Sequence, residues 1–175
     1  MAPGFRLLRL TLKRRSLTYL FHYQAWVKEG YLKTTMGNMI DYEQLTQDTI
    51  FDISQYDIRQ IGFDKTYAAQ YSQEVGKRCS VEMVEVPQRV QFLSPPMKAL
   101  EALIADGRIH HDGNPAMTWM MGNLVAHPDA NDNVFPRKTR DESKIDGPVA
   151  AIMALSLVMA MQEKSLRYSS LWSHN

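Results

Sequence analysis

Two aspartates stand where a metal-binding carboxylate is useful. Asp64 ends the apolar run "YDIRQIGFD" and Asp146 opens the run "GPVAAIMALSLVMAM". Carboxylates brought together from separate elements bind Mg²⁺ or Mn²⁺, and a pair of such ions about 4 Å apart clamps the attacking and leaving oxygens of a phosphodiester. The plainer reading of Asp146 is an N-cap: its carboxylate accepts from free backbone N–H groups, and Pro148 is tolerated in the first turn. Both readings stand at this point, because the chain has 19 acidic residues and spacing alone does not choose among them.

Other chemistries have less to build on. His110, His111 and Asp112 are adjacent, with His127 and Asp129 further on, but neighbouring histidines on a strand point to opposite faces. Asp112 and Asp129 are remote candidates for a supporting carboxylate. The chain has no GxxxxGK[ST], GxGxxG or GxSxG pattern, which removes a Walker-type ATP site, a dinucleotide fingerprint and a nucleophile elbow. Cys79 is the only cysteine, so no internal disulfide forms and no thiolate zinc site organises the fold. Trp26, Tyr67, Tyr71 and Trp119 read as core or rim aromatics.

The elements that must carry the two aspartates follow from pattern. Phe21 to Gly30 and Asp41 to Gln55 read as helices. Tyr56 to Asp64 reads as a strand delivering Asp64 to its C-terminal end, where ligands gather in open α/β sheets. "KTYAAQYSQEVGK" reads as a helix stopped near Gly76, and "SVEMVEVPQ" as a second strand. A helix is expected to start at Ser94 and stop at Gly107. "RIHHDG" suggests a short strand, "NPAMTWMMGNLVAH" a helix, and "NVFPRKT" an extended piece. The last helix is uncharged from Gly147 to Met161 and hydrophobic almost all round, which suits a helix covered on most sides by protein. It falls short of the roughly 20 residues that span a bilayer. Alternating strands and helices indicate an α/β domain.

With 175 residues, 45% hydrophobic and 22% charged, one globular domain with a sizeable core is expected. The net charge is +1, yet nothing acidic precedes Glu29 while Arg6, Arg9, Lys13, Arg14, Arg15 and Lys28 are basic, so the N-terminal end reads as a cationic arm. Arg9 and Lys13 interrupt its apolar runs, so a secretory leader is not expected and the protein reads as cytoplasmic, with no membrane partner. Arg137, Lys138, Arg140 and Lys144 form a second basic run suited to phosphate.

Four blocks in order carry a family likeness: "YQAWVKEGYLKTTMGNMIDYEQL", "IGFDKTYAAQYSQEV", "FLSPPMKALEALIADGRIHHDGNPAMTWMMGNLV" and "NDNVFPRKTRDESKIDGPVAAIMAL". Together they resemble the C-terminal nuclease half of the large terminase subunit of tailed bacteriophages. The resemblance implies an RNase H-like mixed sheet flanked by helices and an endonuclease using Mg²⁺ or Mn²⁺ to cut concatemeric phage DNA in the bacterial host cytoplasm. It implies double-stranded DNA as substrate, with the portal protein and the small terminase subunit as partners. Asp64 matches the family's second acidic position and Asp146 its third. No residue matches the first, and the ATPase half has no counterpart, so an incomplete sheet is expected. The division expected is a basic arm over 1–20 unrelated to the family, a partial nuclease domain over 21–163, and a tail over 164–175. The alternative is a catalytically inactive prophage remnant that binds DNA or a packaging partner through Arg137, Lys138, Arg140, Lys144 and the arm. An unrelated α/β protein binding a small metabolite is the third reading.

Overall fold

A computed structural model describes residues 17–35 and 40–172. In chain order it contains α1 (Leu17–Lys28), α2 (Tyr42–Ser54), β1 (Gln60–Phe63), α3 (Lys65–Cys79), β2 (Glu82–Glu85), α4 (Val90–Ala105), α5 (Pro115–Met121), β3 (Leu124–Pro128), β4 (Val134–Lys138) and α6 (Asp146–Trp172). This is the expected mixture of helices and strands. Among the described residues the strands form two small sheets: β1 with β2 in parallel, and β3 with β4 antiparallel. The basic arm expected over 1–20 lies outside the described residues up to position 16.

The β1–α3–β2 unit sets the frame. A parallel pair needs a long crossover, and α3 supplies it. Asp64 caps α3, its side chain accepting from the Thr66 N–H. The helix then runs past Gly76, where the sequence suggested a stop. Gly76 serves packing instead: a Cβ there would stand 2.8 Å from Met83 Cγ of β2, so only glycine lets the helix lie this close to the strand. Ser80, at φ 53, makes the left-handed turn that ends the helix.

Met83 and Gly62 belong to opposite faces of the small sheet, because the register pairs Ile61 with Met83 and Gly62 with Val84. α3 therefore covers the Met83 face. α6 covers the other, where a Cβ at Gly62 would meet Leu157. The main core lies beside this contact. Val86, Leu93, Met97, Ile152 and Met153 are buried together, with Leu100, Leu124, Val134, Phe135, Val149 and Leu157 packed around them. A satellite core joins α1 to α5 through Tyr23, Trp26, Leu32, Ala116 and Met120, with the Trp26 and Trp119 ring centroids 5.6 Å apart.

Three further element expectations are corrected. α4 starts at Val90, one turn before Ser94, so Pro95 and Pro96 lie inside it. Ser94 is buried and its Oγ accepts from the Val134 N–H at 3.0 Å, which ties β4 to α4 rather than capping a helix. The run "NPAMTWMMGNLVAH" splits into α5, capped by Asn114 and ended at Gly122, and the strand β3. β3 exists because β4 supplies its ladder, a pairing that local pattern does not show. "RIHHDG" is no strand; Gly107 just before it and Gly113 at its end take positive φ.

α6 is longer than its uncharged stretch and is not covered on most sides. Ile152 and Met153 are buried, but Ala150, Ala154, Val158 and Met161, which share one face, are exposed. Among the described residues no helix is long and apolar enough to cross a membrane.

Candidate functional site

Asp64 sits half-buried at the C-terminal end of β1. Its Oδ1 accepts from the Thr66 N–H at 2.9 Å, which fixes the side chain at the start of α3. Asp146 is held differently from expectation. The Val149 N–H bonds the Ile145 carbonyl at 3.0 Å, so Ile145 occupies the cap position and Asp146 is the first residue of the helix. Its carboxylate is exposed and makes no hydrogen bond or ion pair among the described residues. Negative charge there is favoured by the helix dipole.

Both aspartates lie toward the same end of the β1–α6 layer. Leu157 lies against Gly62, while Met153 packs with Val86, the residue just past the Phe63–Glu85 pair. Moving toward Asp64 along β1 is thus moving toward Asp146 along α6. Asp146 lies a further seven residues up the helix from Met153, about 10 Å of rise. The fold gives the pair a common end but not a closed cluster: among the described residues no group of three or more His, Cys, Asp or Glu could hold a metal ion.

The basic run leads directly into Asp146. Arg137 and Lys138 are exposed on β4, opposite Val125 and Leu124, and point to opposite faces. The Arg137 guanidinium lies over the Phe135 ring, 5.9 Å from its centroid. Arg140 is exposed in the turn that follows, and Lys144 is half-buried. The connection is anchored at both ends by Asn123, whose carbonyl accepts from the Thr139 N–H at 3.0 Å while its Nδ2 donates to the Lys144 carbonyl at 3.1 Å. Buried Ser143 lies within the segment, and buried Ile145 and Pro148 fix its junction with α6. Sequence reasoning missed Asn123. A turn signal at Gly122-Asn123 was the only mark it carried.

The remote candidates are engaged elsewhere. Asp112 Oδ1 accepts from the Asn114 N–H at 3.1 Å, and His111 Nδ1 from the Gly113 N–H at 3.0 Å, both shaping the turn into α5. Asp129 is at the β3–β4 turn, where the Asn133 side chain and the backbone N–H groups of Asn131 and Asn133 hold its carboxyl below the usual carboxylate range.

Residues 11–163 match the family described as the terminase large subunit, endonuclease domain. The chain belongs to that terminase family. It is 36% identical over 144 residues to protein YmfN of Escherichia coli strain K12, covering 81% of this chain and 31% of YmfN. It is 31% identical over 154 residues to the large terminase subunit of Enterobacteria phage HK97, covering 87% of this chain and 31% of that subunit. The crystal structure of the HK97 large terminase superposes with a TM-score of 0.71 at 30% identity, over 80% of this chain and 29% of that one. This terminase chain thus spans about a third of the length of these relatives.

Proposed function

We propose that this chain is a terminase nuclease domain of RNase H-like fold, hydrolysing phosphodiesters of double-stranded phage DNA with Mg²⁺ or Mn²⁺, and that Asp64 and Asp146 are its metal ligands. The observation that carries the reading is the free carboxylate of Asp146 at the α6 terminus, at the same end of the layer as Asp64 and directly after a run of cations. Family membership supports it.

The donor set fits a hard divalent ion in kind, since both side chains are carboxylates and Asp146 is unengaged among the described residues. It fits incompletely in number, and a further ligand has to come from elsewhere. A bound ion would supply Lewis-acid activation of water and charge neutralisation at the phosphate. Arg137, Lys138, Arg140 and Lys144 hold the DNA backbone without reading its sequence, because contacts to phosphate position a duplex and do not specify it. Asp64, oriented by its bond from the Thr66 N–H, keeps Oδ2 for another partner.

The work of the domain is cleavage of concatemeric DNA during head filling in the host cytoplasm, beside the portal protein and the small terminase subunit. The boundaries that go with this reading are a basic arm over 1–20, the nuclease region over 21–163 and a tail over 164–175. The shortage of a third donor among the described residues favours one other reading, a chain that binds DNA through the same cations and does not cut it. Incubating supercoiled plasmid with the chain in Mn²⁺ or Mg²⁺, beside D64N and D146N, separates the two.

A further inference from the structure

Asn123 stands where α5, β3, the turn after β4 and the start of α6 converge. It follows Gly122, which closes α5, and directly precedes β3. Its N–H donates to the Met120 carbonyl at 3.1 Å, which seats the residue on the last turn of α5. From that seat its carbonyl accepts from the Thr139 N–H at 3.0 Å, and its Nδ2 donates to the Lys144 carbonyl at 3.1 Å. The side-chain nitrogen has to face Lys144, because a carbonyl only accepts.

The segment from Thr139 to Lys144 has little of its own to lie on. Thr139, Arg140, Asp141 and Glu142 are exposed, Lys144 is half-buried and Ser143 is buried. The Thr139 and Ser143 hydroxyls lie 3.2 Å apart and the Ser143 N–H donates to the Arg140 carbonyl at 3.0 Å, which closes the segment on itself. Those bonds set its shape and not its place. Its place is set by the two bonds to Asn123 and by Ile145, buried at the junction with α6.

The Lys144 carbonyl needs a donor that α6 does not hold. Helical pairing would draw on the residue four positions on, as the Ile145 carbonyl does with the Val149 N–H, but for Lys144 that residue is Pro148, which has no N–H. Asn123 supplies the bond, two residues before Asp146.

We propose that Asn123 is a positioning residue for the nuclease site. It holds Arg140 and its neighbouring cations at a fixed distance from the Asp146 carboxylate, so that a phosphate gripped by the cations stands beside the carboxylate. Phosphate contacts set the register of a duplex on a protein, and a misplacement of about 1 Å costs on the order of 10²-fold in rate. Asn123 has no charge, so its loss leaves the count of phosphate-neutralising groups unchanged: DNA is still bound, and its chemistry suffers. The proposal rests on the nuclease reading above.

The test compares N123L, N123Q and S94A with the parent in nicking of supercoiled plasmid in Mn²⁺ and in mobility shifts over a salt series. N123L keeps the size and removes the donor. It should lose at least tenfold in kcat with KM within about threefold, and its salt slope should stay within about one ion of the parent's. N123Q, which retains an amide N–H, should fall between N123L and the parent. S94A loosens β4 from α4 without touching the segment, so it should keep the parent's kcat and separate positioning from a general loss of stability. Should N123L fail to fold, N123S, whose hydroxyl stops short of the Lys144 carbonyl, carries the same expectation. A parent that nicks while N123L keeps its kcat, a loss in N123L that lies in KM and the salt slope, or an equal loss in S94A overturns the role of Asn123 alone. A folded parent that does not nick overturns the nuclease reading and this role with it.

Discussion

Gly62 and Leu157 meet where β1 presses its backbone onto α6: a methyl group at position 62 would stand 3.4 Å from Leu157 Cδ1 and 3.1 Å from Val86 Cγ2. The strand that carries Asp64 is therefore registered against the helix that carries Asp146 by a residue with no side chain. Replacing Gly62 by valine overfills this contact and should destabilise the domain by about 1–3 kcal/mol. Urea denaturation reads it as a lower midpoint; an unchanged midpoint would refute the close contact.

Ser94 ties the β3–β4 sheet to α4 through its bond from Val134. S94A leaves that N–H without a partner beside a buried side chain and should cost about 1–3 kcal/mol. Hydrogen exchange at the Val134 amide should rise more than at amides of α3, and equal rises across the chain would contradict a local role.

The tip of the β3–β4 hairpin should loosen in acid. The Asp129 carboxyl is held below its usual range first by the Asn133 side chain and then by the Asn131 N–H. A group depressed in the folded state contributes its stability above its unfolded value, about 3.9, and loses it as pH falls through the folded value. Loss of protection at the Asn131 and Asn133 amides, measured against the free-peptide exchange rate at each pH, is expected on acidification, and D129N should show it already at neutral pH. A tip whose exchange is indifferent to both would show that the carboxylate does not organise the turn.

Much of this arrangement is legible in the sequence. The apolar run ending at Asp64 and the uncharged run after Asp146 are local signals, and each aspartate stands at the junction expected of it. What is not legible is set by pairing at a distance. β3 reads as the tail of a helix until β4 is beside it, Gly76 reads as a stop until Met83 needs the space, and Ser94 reads as a cap until Val134 donates to it. The same holds for the stripe of α6, whose uniform apolarity predicts burial without saying which elements provide it.

DNA binding should depend on the cations between β4 and α6. Removing one phosphate-neutralising cation lowers the slope of log affinity against log salt by about 0.9, so the triple variant R137A/K138A/R140A should flatten it by roughly 2–3. Electrophoretic mobility shifts over a salt series measure this. A slope equal to the parent's would place the DNA elsewhere on the surface.

The role of Asp64 and Asp146 is tested most directly by nicking of supercoiled plasmid by the purified chain in Mn²⁺ and in Mg²⁺, with D64N and D146N beside it. Slow nicking by the parent is expected, reduced at least tenfold in each variant while DNA binding and the far-ultraviolet circular dichroism are retained. A folded parent that leaves the plasmid intact, or variants that cut at the parent's rate, would contradict the assignment of Asp64 and Asp146 as the nuclease carboxylates.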